Sequence, residues 1–185
     1  VSPLMERPEN LNDVMDVYYQ EYQEVHTRMW MDKIGIDDSK QNEIDLVADL
    51  IPLLESSNID MTIFFRLLSN LEAPDVELLN FAFYSPEKIP VEKWNEWLNR
   101  WWECTKGAPN RGKMRGVNPK FVLRNWMAQL AIDAAEKGDY TVAEELHYLL
   151  KSPYAEQSEY ESKWFQKRPE WADHRVGCSM LSCSS

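Results

Sequence analysis

Leu11, Met15, Tyr18, Tyr22, Val25 and Met29 fall in alternating steps of four and three, the spacing that lines one face of an α-helix. A long amphipathic helix over about residues 9–33 is expected, closed at Gly35, with its apolar stripe packed into a core. Asp38 or Ser39 can cap a second helix carrying Ile44, Val47, Leu50, Ile51 and Leu54. Pro52 should kink or split it, because a mid-helix proline loses a backbone bond and crowds the preceding turn. Asp60 precedes a third helix, residues 61–71, with a dense apolar face of Ile63, Phe64, Leu67, Leu68 and Leu71; Pro74 ends that region. Residues 75–83 read as one or two further helical turns before Pro86 and Pro90. In residues 91–105, Trp94, Trp97, Leu98, Trp101 and Trp102 recur at helical spacing. Such a belt of indoles can be a ligand platform, but the reading taken is a core face whose indole N–H groups find local acceptors.

The strongest local signals lie in residues 118–150, which read as two helices joined by one sharp turn. Asn118 is placed as an N-cap with Pro119 at the first helical position, where a missing N–H costs nothing. Leu123, Trp126, Met127, Leu130, Ala131 and Ala134 then form a buried stripe, with Lys120, Arg124, Asp133 and Lys137 outside it. Gly138 can take the left-handed conformation that ends such a helix. Asp139 or Thr141 can cap the next, which buries Val142, Leu146, Leu149 and Leu150 until Pro153. Before this unit, residues 106–117 are loop-like and basic, with Lys106, Arg111, Lys113 and Arg115. After it, residues 154–171 are polar and aromatic without a sustained period, and residues 173–185 read as a mobile tail. No stretch shows the period-two alternation of a strand. The expectation is therefore an all-α, irregular multi-helix bundle over residues 1–152, followed by a polar and aromatic extension with a flexible C-terminal tail over 153–185. Residues 138–145 resemble one turn of a tetratricopeptide unit, but no self-similarity at that period runs through the chain.

Composition narrows the partners. The chain has 185 residues, 44% of them hydrophobic and 12% aromatic, enough to close one core. Its net charge of −11, from 31 acidic and 20 basic residues, disfavours long-range attraction to nucleic acid or an anionic membrane. Neither is expected as a partner. No apolar run approaches the roughly 20 residues that span a bilayer. The opening Val1-Ser2-Pro3-Leu4 has no initiator Met, basic region or apolar signal core, which suggests a fragment or a processed chain. Three cysteines, Cys104, Cys178 and Cys183, are too few for a secreted disulfide framework, so a reducing compartment is the default.

Candidate chemistry is sparse. Residues 107–113, Gly-Ala-Pro-Asn-Arg-Gly-Lys, fit the first seven positions of a P-loop, in which amides cradle phosphate and the lysine reaches the outer phosphates. The next position should carry a hydroxyl for magnesium and is Met114, and no strand precedes the stretch, so the match is taken as chance. The basic loop is read as a solvated connector, with a phosphate or acidic partner as the alternative. His26 and His147 stand alone on helices. His174, Cys178 and Cys183 match no zinc spacing, and no metal site is assigned. The carboxylates are spread over helix surfaces, and no catalytic residue is assigned. Cys183, close to the C-terminus on a flexible peptide, is the residue able to reach a partner thiol, as a redox switch requires.

Beyond periodicity, residues 114–125, Met-Arg-Gly-Val-Asn-Pro-Lys-Phe-Val-Leu-Arg-Asn, closely resemble the C-terminal part of the selenoprotein O family. So do Gln129-Leu130-Ala131-Ile132, Ala135-Glu136-Lys137-Gly138-Asp139, the earlier Phe64-Phe65-Arg66-Leu67-Leu68-Ser69 and the ending Cys183-Ser184-Ser185. The resemblance covers most of the chain. It implies a longer protein with a kinase-like fold that binds ATP in an inverted orientation and transfers AMP to protein hydroxyls. Eukaryotic members are mitochondrial; a bacterial one would be cytoplasmic. The family's glycine-rich loop, nucleotide-contacting lysine and metal-binding Asp and Asn match nothing here. ATP and magnesium are thus expected for the parent protein, with no cofactor in this chain. The implied partners are the N-terminal kinase-like part of the same protein and its protein substrates. Cys183 stands where family members carry selenocysteine or a terminal cysteine. The resemblance implies that this thiol pairs either with a nearby cysteine, for which Cys178 is the closest candidate, or with one in the preceding part of the protein. The other class of reading is a free-standing helical interaction module that docks a partner through the Trp face or the basic loop.

Overall fold

The computed structural model describes residues 11–37, 41–175 and 178, with the side chains of 41–44 excepted. Among the described residues eight α-helices follow one another: α1 Leu11–Lys33, α2 Gln41–Ser56, α3 Met61–Leu68, α4 Val91–Cys104, α5 Arg111–Val117, α6 Asn125–Ala135, α7 Thr141–Leu150 and α8 Ser158–Trp164. Short 3-10 helices occupy Val76–Ala82, Pro86–Lys88 and Glu170–His174. Among the described residues, extended pairing is limited to a single antiparallel bridge between Ile59 and Phe83. The all-α expectation is met. No helix among the described residues is long and apolar enough to cross a membrane.

The core is built around α4. Trp94, Trp97, Leu98 and Trp101 are buried as the spacing predicts, packed against α2 and the 3-10 helix at Val76–Ala82. The three buried indoles of α4 each have an acceptor: Trp94 donates to Ser57 Oγ at 2.9 Å, Trp97 to Leu46 O at 2.8 Å and Trp101 to Ile34 O at 2.8 Å. These bonds tie α4 to three other parts of the chain, so the Trp face is structural. On α2, Leu46, Val47, Leu50, Leu53 and Leu54 are buried, and the helix runs on through Pro52 to Ser56. Its expected caps, Asp38 and Ser39, lie outside the described residues, as does the Ile44 side chain. Asp60, which precedes α3, caps it, accepting from Ile63 N at 3.1 Å. Gly138, at φ +82°, ends α6, and Asp139 accepts from Thr141 N at 2.9 Å to start α7. Leu146 and Leu149 of α7 are buried, and α6 packs on α7 as a helical hairpin.

Four expectations are overturned. The helix placed at Asn118 begins at Asn125. α5 has just ended, with Asn118 at φ −107°, ψ 100° and its N–H donating to Met114 O, and the Asn118 side-chain oxygen accepts from Lys33 Nζ instead of capping a following turn. The next amides, of Lys120 and Phe121, donate to Pro153 O at 2.8 and 3.1 Å instead of building a turn. Residues 118–124 are thus not helical, Leu123 and Leu130 are exposed, and Lys120, placed outside, is buried.

Secondly, the basic loop is helical over α5. Asn110 caps it through Lys113 N at 3.1 Å, and Met114 is driven against Gly35, where a Cβ would come within 2.7 Å of the Met114 sulfur. Gly35 is at φ +71°, so both its conformation and its bareness are used. Thirdly, the extension carries α8 and the 3-10 helix Glu170–His174. Trp164, Phe165 and Ala172 join the core, Trp164 packing 5.8 Å from Trp126 ring to ring. The rest of the tail, including Cys183, lies outside the described residues.

Fourthly, the α1 stripe is not in the core. Met15, Tyr18, Tyr22, Val25 and Met29 are all exposed. Among the described residues, α1 is buried toward its C-terminal end, where it packs on α2 and α5, with Met31 and the following Ile34 buried.

Candidate functional site

The block from Asn118 to Asn125 passes through the densest set of buried polar groups. Asn118 locks it to α1: Lys33 Nζ donates to Asn118 Oδ1 at 3.2 Å, and Asn118 Nδ2 donates to Lys33 O at 2.8 Å. The Lys33 ammonium also lies 4.9 Å from the centre of the Phe65 ring, and burial pulls its pKa below the usual lysine value.

Arg66, on α3, is 2% exposed. Its guanidinium donates to Asn118 O at 3.2 Å, Arg115 O at 3.4 Å, Tyr154 O at 3.1 Å and Glu156 Oε1 at 2.5 Å. Lys120, 4% exposed, donates to Glu156 Oε2 at 3.1 Å and Glu161 Oε2 at 2.8 Å. Two desolvated cations therefore share Glu156, the arrangement that makes a buried charge tolerable. Burial pushes the Glu156 carboxyl up, but the Lys120 hydrogen bond and the Arg66 charge outweigh it and hold the pKa below the usual glutamate value.

A second clamp lies beside it. Arg124 grips the Asp60 carboxylate with both terminal nitrogens and donates to Gln166 O at 3.0 Å. Tyr84 Oη donates to Asp60 Oδ2 at 3.4 Å and accepts from Arg168 N at 3.2 Å. Burial, foremost, raises the Tyr84 pKa. Together these contacts fasten the extension, residues 153–168, to α3. Chemically the seam is a tether, since Arg124 and Lys120 donate to carboxylates and a backbone carbonyl within the fold.

The other candidates resolve one by one. In the P-loop-like stretch, Lys113 is held by Asp32 at 2.7 Å and Asp37 at 3.1 Å, and the Asp32 hydrogen bond, above all, raises its pKa. A cleft of about 500 Å³ opens there, flanked by Glu24, Arg28, Asp32 and Asp37. Its carboxylates already neutralise the one lysine that would meet a triphosphate. Among the described residues, no three His, Cys, Asp or Glu side chains gather as metal ligands. In this stretch, then, the lysine side chain is engaged by carboxylates and is not presented to a phosphate.

Two further basic residues nearby make internal contacts. Arg111 donates to Leu71 O at 2.6 Å and Arg115 to Asn70 Oδ1 at 2.6 Å. Of the two docking surfaces expected for an interaction module, the Trp face is buried at Trp94, Trp97 and Trp101, while Lys106 and Arg115 of the basic stretch stay exposed. His26 accepts from the Trp30 indole at 3.0 Å. Cys178 is buried, its N–H donating to Arg175 O at 3.1 Å; Cys183 lies outside the described residues, so the pairing of the two thiols is not placed. Sequence reasoning missed Arg66, Lys120 and Glu156 as a unit. A charge within the Phe64-Phe65-Arg66-Leu67-Leu68 run was the available signal.

Comparison with known proteins agrees with the resemblance of this block. Residues 2–151 match the family model described as protein adenylyltransferase SelO. Three similar curated relatives are each named protein nucleotidyltransferase YdiU. The one from Flavobacterium johnsoniae is 40% identical, covering 100% of this chain and 38% of the relative. That from Aromatoleum aromaticum is 43% identical, over 99% of this chain and 36% of the relative. That from Rhodopirellula baltica is 36% identical, over 99% and 38%. The chain spans little more than a third of the length of these relatives.

Proposed function

The chain belongs to the SelO family of protein adenylyltransferases, and from that membership we propose that it is the C-terminal helical part of a longer enzyme. That enzyme transfers AMP from ATP to Ser, Thr or Tyr hydroxyls of other proteins. ATP and magnesium bind in the kinase-like part that precedes this region, and this region is the buttress on which that part rests. The observation that carries the reading is the family match over residues 2–151, joined to the 36–38% of their length that the relatives share with this chain. The spent Lys113 supports placing the nucleotide elsewhere.

Calorimetry with ATP and magnesium tests it. This chain alone should give no binding heat, and the longer protein should bind and add an adenylyl mass to a protein substrate. Nucleotide affinity in this chain alone, or a longer protein that adds no AMP to any substrate, overturns the reading. The redox part of the proposal assigns Cys183 as the reactive thiol, with Cys178 or a cysteine in the preceding part as its partner. Mass spectrometry of the non-reduced chain decides between them, because a Cys178–Cys183 bond removes two hydrogens. In a eukaryote the protein is placed in the mitochondrion, in a bacterium in the cytoplasm.

One observation favours the second reading, a free-standing helical interaction module: the exposed apolar stripe of α1. A defined complex formed by this chain without any preceding segment would promote it.

A further inference from the structure

α1 uses two different sides for two different purposes. At its C-terminal end Met31 is buried against the body, at 4% exposed, while Met29, two residues earlier and so roughly 200° round the helix at about 100° per residue, is 45% exposed. At this end the body therefore lies on the Met31 side, and the exposed Met29 points away from it, in line with the exposed Met15, Tyr18, Tyr22 and Val25. Residues 12–25 are exposed all round, which amounts to roughly 20 Å of helix at ~1.5 Å per residue. A helix of that length is marginal in water without tertiary support. A contiguous apolar stripe on such an arm marks an interface.

The stripe is also continuous with the core. Tyr18 stacks on Tyr22 at 6.2 Å between ring centres, Tyr22 on His26 at 5.6 Å, His26 meets Trp30 at 6.2 Å, and Trp30 meets Phe65 at 5.9 Å. One aromatic ladder thus runs from the exposed arm into the interior. Whatever covers the arm extends the same hydrophobic core.

The occupant follows from charge and from length. Between residues 11 and 25 the helix carries Asp13, Asp16, Glu21 and Glu24 and no Lys or Arg. Two copies packed along this arm would bring those carboxylates together with no cation between them, which disfavours a second copy of the chain. The relatives, in contrast, carry the larger part of their length outside the region this chain matches. We propose that the apolar stripe of α1 is the docking surface for the preceding part of the same polypeptide, which covers the arm and meets its acidic side with basic side chains. This rests on the reading of the chain as the later part of a longer protein, and it names the residues through which the two parts join.

Hydrogen exchange by mass spectrometry, on this chain and on the longer protein, tests the proposal. Amides of residues 12–25 should exchange at least 100-fold more slowly in the longer protein. The double substitution Tyr22→Glu and Val25→Glu in the longer protein should return them to the rate seen in this chain, with α4 unaffected. Equal rates in the two forms overturn the proposal. So does protection in this chain alone that grows with its concentration, which would make a second copy the occupant. AMP transfer measured on the same samples separates the two readings. An active longer protein with a freely exchanging arm sinks the docking alone, and a protected arm in an inactive protein supports the docking while removing the proposed activity.

Discussion

α1 and α4 carry the same kind of pattern and meet opposite fates. Each places aromatic and aliphatic side chains along one face, yet Trp97 is 1% exposed and Val25 is 64% exposed. The periodicity of a helix states which side wants cover; it does not state which chain supplies it. On α4 the cover comes from α2, the 3-10 helix at Val76–Ala82 and Phe64 of α3, whose ring lies 5.4 Å from that of Trp94, and each buried indole N–H of this helix is satisfied within the fold. On α1 the body takes the Met31 side, and the stripe is left for something else. Side-chain chemistry fits the difference: tyrosine tolerates water at its hydroxyl end, whereas a tryptophan face carries more apolar area and a single donor.

The sharpest way to break the comparison is to empty the buried face. Trp97→Ala removes a side chain that stacks on Trp101 at 6.2 Å and holds Leu46 O. It should cost about 3–5 kcal/mol, the range for large aromatic truncations in a core. Urea unfolding followed by the remaining tryptophan fluorescence measures it. A loss under about 1 kcal/mol would mean that α4 is not the centre of the fold.

Next in size is the polar seam that joins α3 to the extension. Arg66→Met roughly keeps volume but strips the donors from three backbone carbonyls and leaves Glu156 with Lys120 alone. The expected cost is about 2–3 kcal/mol, since hydrogen bonds to charged groups are the stronger ones and their buried acceptors are left unmet. Amide exchange should quicken in residues 154–165 and stay slow in α4. Uniform loosening of both would show that the seam is not a local fastening.

These two regions also show where a linear reading stops. α3, α4 and α7 were legible because their periodicity and caps act within a few residues: Asp60 reaches Ile63, and Asp139 reaches Thr141. Residues 118–124 were not, because their extended course is fixed by Pro153 O, far along the chain. Lys120 and Arg124 were sorted to the solvent side as charges on a presumed helix, yet their partners Glu156 and Asp60 stand 36 and 64 positions away. α5 was missed for a similar reason: its Met114 is held by the bare backbone at Gly35. The block Asn118 to Asn125 was legible as a family resemblance, but the tether it forms belongs to tertiary contacts.

A smaller effect comes from pH. Burial raises the Glu156 pKa, but Lys120 and Arg66 outweigh it and hold the folded-state value below the usual 4.5. A depressed carboxyl contributes stability that is present above the unfolded value and lost as pH falls from there through the folded one. Glu156 is half exposed, at 52%, so the contribution is under about 1 kcal/mol. Stability should decline as pH drops below about 4.5, and the decline should be shallower in Glu156→Gln. Asp37 and Asp133 are depressed in the same direction, so the difference between the two proteins, not the raw profile, carries the test. Parallel profiles would remove Glu156 from the seam's energetics.

The smallest expected change is the most telling for the comparison itself. Tyr22→Ala and Val25→Ala, made in this chain alone, touch side chains that are 51% and 64% exposed. Exposed substitutions away from caps and networks stay within about ±0.5 kcal/mol, although losing the Tyr22 stacking on Tyr18 and His26 pushes the first toward the unfavourable end. Denaturant midpoints should therefore barely move, in contrast to Trp97→Ala. If either substitution cost as much as emptying the α4 face, the stripe would already be covered within this chain, and the distinction between a helix that is packed and one that awaits its partner would fail.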